Sequence, residues 1–91
     1  MRVLVEFAWS LAEKVGKKYI WLDVKGEELD LQDIFSRILP SILGEDLGKA
    51  LHDLLLNRGA FVVVNGIMAK DLKVKVKDGD KILLQPIASG G

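Results

Sequence analysis

Cysteine is absent from the 91 residues, which excludes a disulfide framework and any thiolate metal site and leaves packing to supply stability. Threonine is absent too, histidine occurs once as His52, and the four serines are scattered at positions 10, 36, 41 and 89. A hydrolytic triad needs a nucleophile, a base and an orienting acid within reach of one another. Helical spacing sets His52 off an apolar stripe, on a wet face, so no such triad is expected. Net charge is also missing, because 13 Lys and Arg balance 13 Asp and Glu. Nucleic-acid affinity rests largely on neutralising phosphates, so free DNA and RNA are not expected partners. No apolar run approaches the roughly 20 residues that span a bilayer, and the opening segment MRVLVE carries both Arg2 and Glu6. No membrane association and no bound cofactor or metal are expected, and the location expected is cytoplasmic.

Hydrophobic residues make up 49% of the chain and charged residues 29%, the balance of a chain that collapses around a core rather than one that stays disordered. At this length one core is the most it can build. Residues 2–8, RVLVEFA, alternate as a first strand, and a helical turn over 9–17 ends at Gly16. Residues 18–24, KYIWLDV, alternate again and complete a hairpin. Then the period changes. Leu31, Ile34, Phe35, Ile38 and Leu39 fall on one helical stripe, with Asp30 as N-cap, Leu29 and Ile34 spaced as a hydrophobic staple, and Pro40 as the stop. A second helix over 45–57 carries Leu47, Leu51, Leu54 and Leu55 on one side and ends at Arg58-Gly59. The run AFVVV at 60–64 is a buried strand entering a tight turn at Asn65-Gly66. Val74 and Val76 alternate with lysines, Asp78-Gly79-Asp80 turns the chain, and 81–85, KILLQ, form a last strand that Pro86 closes. The order is β-β-α-α-β-β-β, an α+β arrangement in which one sheet face buries both helical stripes.

Few residues offer chemistry. Glu27-Glu28 lies in a glycine-containing turn and Glu45-Asp46 at a helix start, where turn formation and the helix dipole account for them. Lys70, Lys73, Lys75 and Lys77 read as a solvated strand face. Trp9, Tyr19 and Trp21 lack the basic groove of a base-stacking surface and read as core or partner contacts. What remains is the end, PIASGG. Two glycines without Cβ atoms can thread a narrow channel and present a main-chain carboxylate to a nucleotide phosphate.

The segment FVVVNGIMAKDLKVKVKDGDKILLQPIASGG from Phe61 resembles the C-terminal half of the molybdopterin-synthase small subunits and their thiamine-pathway relatives, a family of ubiquitin-like sulfur carriers. The shared pattern runs through Val64-Asn65, a variable hairpin, Asp78-Gly79-Asp80, the strand Ile82 to Leu84, Pro86 and the terminal Gly90-Gly91. The opening VLVEFA resembles the family's first strand. Gln85 stands where relatives often carry an aromatic, and Ile87 where some have a second proline.

The resemblance implies a β-grasp fold, with a mixed sheet of about five strands and two helices packed on one face, a single domain over 1–87 and a flexible tail over 88–91. It also implies a chemistry. An E1-like adenylating enzyme uses ATP to activate the Gly91 carboxylate, a sulfur donor converts it to a thiocarboxylate, and the large subunit of molybdopterin synthase consumes the sulfur in building the molybdenum cofactor. The chain is then not catalytic alone. Gly91 is the reacting residue, and Gly90, Ser89, Ala88, Ile87, Pro86 and Phe7 are the binding residues, Phe7 being equally readable as core. Ile87, Ala88 and one sheet face make the expected docking patch. The same tail would serve a protein modifier joined through Gly91, or a carrier for thiamine synthesis or tRNA thiolation.

Overall fold

The computed structural model describes residues 1–26 and 28–87. Along the described residues run β1 (Arg2–Phe7), α1 (Ser10–Val15), β2 (Tyr19–Asp23), β3 (Leu29–Asp30), α2 (residues 31–43), α3 (Glu45–Leu56), β4 (Ala60–Val64), β5 (Ile67–Met68), β6 (Lys75–Val76) and β7 (Lys81–Pro86). Five strands form one sheet in the order β2-β1-β7-β4-β5, with β1 and β7 parallel and the other neighbours antiparallel. β3 and β6 make a separate two-residue ladder. This is the β-grasp, a mixed sheet with its two longer helices on one face.

The two sequence periods meet in the core. Val3, Val5 and Phe7 of β1, Ile20 and Leu22 of β2, Val62 of β4 and Ile82 and Leu84 of β7 alternate onto one sheet face. The stripe Leu31, Ile34, Phe35, Ile38 and Leu39 of α2 lies buried in the same cluster, joined by Leu51 of α3. Asp30 caps α2: its Oδ1 accepts from the Asp33 amide at 2.8 Å, and the Asp33 carboxylate accepts from the Asp30 amide at 3.4 Å. That reciprocal capping box closes two free donors at the helix start.

Pro40 does not stop α2. The stretch Ile34–Ile38 is a π-helical turn, with the Leu39 amide donating to the Ile34 carbonyl, and the helix continues through Leu39–Leu43 to Gly44. A straight α-helix would drive the proline ring into the carbonyl four residues back; the extra residue of a π turn shifts that carbonyl and accommodates the ring. Gly48 of α3 then lies so close to Pro40 that a Cβ would come within 2.5 Å of its Cα. The helices cross through that glycine. Where α3 ends, the Gly59 amide donates to the Leu54 carbonyl and the Arg58 amide to that of Leu55, a Schellman closure. Arg58 takes its left-handed position at φ 59° because the glycine is needed one residue later, where a Cβ would collide with the Leu54 side chain.

Candidate functional site

The residues that carry the family resemblance are architectural. Asn65 and Gly66 both have positive φ, 50° and 84°, as the two centre positions of a type I′ hairpin turn require. The Asn65 side chain spans two turns: its amide nitrogen donates to Asp80 Oδ1 at 2.8 Å, and its oxygen accepts from the Lys81 amide at 2.9 Å. Asp80 Oδ2 accepts from the Lys77 amide at 2.8 Å, and Asp78 Oδ1 accepts from the Arg2 amide at 2.6 Å. Asp78-Gly79-Asp80 therefore ties the start of β7 to the start of β1 and to the β4–β5 turn. Those bonds set the register of the central strand, and the register determines where that strand delivers the chain's last residues.

β7 runs to the far end of the sheet between β1 and β4. Phe7 lies opposite Leu84, the Ala8 amide donates to the Leu84 carbonyl at 3.0 Å, and Pro86 stands opposite Ala60. Pro86 does not end the pairing, because the Ile87 amide donates to the Gly59 carbonyl at 3.0 Å. Backbone groups alternate sides along a strand, so Pro86's nitrogen faces β1's side, where β1 has already turned away after Phe7. No ladder bond is lost there. Ile87 is thus still anchored to the start of β4. Ala88, Ser89, Gly90 and Gly91, and the expected extension of the tail, lie outside the described residues.

Around this end the sequence-predicted binding residues separate. Phe7 is 4% exposed and belongs to the core; of its two readings the structure adopts the packing one. Pro86 is half-buried and Ile87 is exposed. Ile87 alternates in phase with Leu83 and Gln85 onto the sheet face opposite the helices, the face that also carries Leu4, Tyr19, Trp21, Phe61, Val63 and Met68. Tyr19, Trp21 and Met68 are large and exposed there, which overturns the core reading of the two aromatics. Arg2 covers Trp21, its guanidinium 4.5 Å from the ring centre. A cleft beside the end of β7 is lined by Leu55, Phe61, Ala69, Leu72 and Ile87, with Arg58 at its rim. The sequence did not point to Trp9 as part of this end, yet it is 65% exposed in the turn that follows β1.

The single histidine and Ser36 both meet Gln32. His52 is half-buried and its Nε2 lies 3.3 Å from the side-chain nitrogen of Gln32, while the Ser36 hydroxyl donates to the Gln32 carbonyl. Among the described residues no group of three His, Asp or Glu side chains is placed to hold a metal. Their helices include none long and apolar enough to cross a membrane.

No family model matches the chain, and no curated protein matches it in sequence. Solved structures do. The fold superimposes on small archaeal modifier protein 1 (SAMP1) from Haloferax volcanii with a TM-score of 0.70, at 23% identity over 100% of both chains. It superimposes on a chain from the complex of subunits 1 and 2 of molybdopterin-converting factor from Helicobacter pylori with a TM-score of 0.61, at 26% identity over 100% of both. The thiamine biosynthesis protein ThiS from Geobacter metallireducens matches with a TM-score of 0.52, at 20% identity over 100% of both. These neighbours are of the same group that the C-terminal half of the sequence resembles.

Proposed function

We propose that the chain is a ubiquitin-like sulfur carrier whose working group is the Gly91 carboxylate, and that it serves as the small subunit of a molybdopterin synthase. The observation that carries this reading is the placement of β7. The central strand is locked at its start by Asn65, Asp78 and Asp80 and held at its end by the bond from Ile87 to Gly59. A partner therefore finds Ile87, the residue from which the chain continues to its terminus, at a fixed place beside β4. The molybdopterin branch is favoured by the full-length likeness, at 26% identity, to a chain of a two-subunit molybdopterin-converting factor.

In this mechanism the carboxylate oxygen of Gly91 attacks the α-phosphorus of ATP in the E1-like enzyme, forming the acyl-adenylate and releasing pyrophosphate. Hydrosulfide then attacks the acyl carbon, displaces AMP and loses its proton, leaving the thiocarboxylate, which the synthase large subunit consumes. The carrier supplies the terminus and the docking face; its partners supply the acids, bases and nucleotide site. The likeness to small archaeal modifier protein 1 supports a second reading, in which an acceptor lysine attacks the activated carbonyl and the chain becomes a conjugate.

The test is intact mass after incubation with the adenylating enzyme, ATP and sulfide. Conversion of acid to thioacid adds about 16 Da to wild-type, a covalent activation step. Deleting Gly91 withdraws the carboxylate by roughly 3.5 Å along an extended chain, and misplacement of even about 1 Å costs on the order of a hundredfold in rate. The deletion and a one-alanine extension should therefore gain the mass at least a hundredfold more slowly. Equal rates would end the proposal. A large subunit co-purifying with the chain decides for the cofactor branch, and a ladder of conjugates for the modifier.

A further inference from the structure

Trp9 has φ 49° and ψ −122°, and the Leu11 amide donates to the Ala8 carbonyl at 3.0 Å. Those angles and that bond define a type II′ turn with Trp9 at its first central position. That position has positive φ and belongs to glycine by preference, because a Cβ clashes there. A large aromatic at such a position is an outlier that the surrounding structure must sustain. The fold draws nothing back from it: the side chain is 65% exposed and lies outside the hydrophobic cluster.

Position explains what the fold does not. Parallel pairing sets Phe7 opposite Leu84, so the turn after Phe7 stands beside the end of β7, where the chain leaves towards Gly91. The Phe7 amide donates to the Lys18 carbonyl, which brings exposed Lys17 and Lys18 to the same end. Arg58 stands on the other flank, next to the Gly59 that holds Ile87. Glu6 and Glu13 are the acids nearest to Trp9 along the chain. The end of the sheet from which the chain leaves β7 thus carries one strained, exposed tryptophan, with exposed Lys17 and Lys18 on one flank and Arg58 on the other.

We propose that Trp9 is a specificity-determining contact for the adenylating enzyme, held in a strained turn so that its indole enters an apolar hollow, rimmed by carboxylates, beside the channel that receives the tail. This rests on the sulfur-carrier reading. The occupant is the activating enzyme rather than a sulfur acceptor because every branch of the function passes through adenylation, whereas the acceptor differs between branches.

Three variants test it: Trp9→Gly, Trp9→Ala and Trp9→Phe. Melting temperature and the KM for the carrier in ATP–pyrophosphate exchange by the adenylating enzyme are measured for each. Glycine relieves the strain and removes the indole, so Trp9→Gly should melt at least about 4 °C higher while its KM rises about tenfold or more, as for an aromatic anchor. Trp9→Ala keeps a Cβ in the strained turn and should show the KM rise without that gain in stability. Trp9→Phe should retain most of the affinity. If Trp9→Gly melts lower, the indole is structural and the proposal fails. If its KM is unchanged while Gly91 deletion still abolishes exchange, the Trp9 contact fails and the carrier reading stands. If wild-type supports no exchange at all, both fall together.

Discussion

Asn65 shows how one side chain can carry a recognisable pattern without touching any chemistry. It accepts the turn's positive φ and bonds both the Asp80 carboxylate and the Lys81 amide. Asn65→Ala loses two hydrogen bonds and puts a less tolerant residue in the left-handed region, so it should cost about 2 kcal/mol in denaturant unfolding. Asn65→Gly, which keeps the turn, should cost less; an equal loss would show that the left-handed backbone contributes nothing and that the two side-chain bonds account for the whole cost. Asp30 gives a second test. The Asp33 backbone amide bonded to it, aided by the Asp33 side chain and the charge of Lys75, holds its carboxyl below the usual value of 3.8. A carboxyl depressed in the folded state contributes stability that is fully present above its unfolded pKa and lost as pH falls through the folded one. The wild-type chain should therefore lose stability below about pH 3.8 more steeply than Asp30→Asn, whose amide oxygen still caps the helix at neutral pH. Parallel acid-unfolding curves for the two proteins would remove Asp30 from the account.

At the scale of elements, most of what the sequence foretold rests on period. The apolar stripe of α2 is buried at every named position because 3.6-residue spacing and burial are one fact read twice. The stop at Pro40 was misread because a π turn leaves no mark in hydrophobic spacing, and Pro86 because a proline's effect depends on which neighbour its nitrogen faces. The two-residue strands β3 and β5 are too short for alternation to register, whereas β6 falls within the alternation read at Val74 and Val76. Where the helices cross, Gly48 has no positive φ to explain it; its role is the space it leaves for Pro40. Gly48→Ala gains helix propensity, at most about 1 kcal/mol, against a Cβ within 2.7 Å of three Pro40 carbon atoms. The overpacking should win, giving a net loss of about 1–2 kcal/mol in urea unfolding. A stabilised variant would mean that α2 and α3 slide apart without cost.

Across the whole molecule, the arrangement that matters for function was the least legible. Nothing in local spacing says that the last strand inserts between the first and the fourth, yet that parallel pairing of β1 with β7 gathers Trp9, Arg58 and Ile87 at one end. The tail itself was legible as residue types, two glycines after a proline, while its surroundings depended on pairing between distant segments. Ile87 tests whether those surroundings matter. The residue is 50% exposed, and among the described residues it is anchored by the bond from its backbone amide to Gly59, which an aspartate at that position keeps. Ile87→Asp should therefore unfold within about 0.5 kcal/mol of wild-type, as surface changes do. Leu84→Ala, three residues inward and fully buried, should lose about 2–5 kcal/mol. Calorimetric titration should tell the opposite story, with Ile87→Asp binding the adenylating enzyme or the synthase large subunit more weakly by more than about 1 kcal/mol, because a charge replaces an apolar contact at the rim of the tail's departure. Unchanged affinity in both titrations, with the fold intact, would take Ile87 and the sheet face around it out of the mechanism and leave the tail as the sole determinant of recognition.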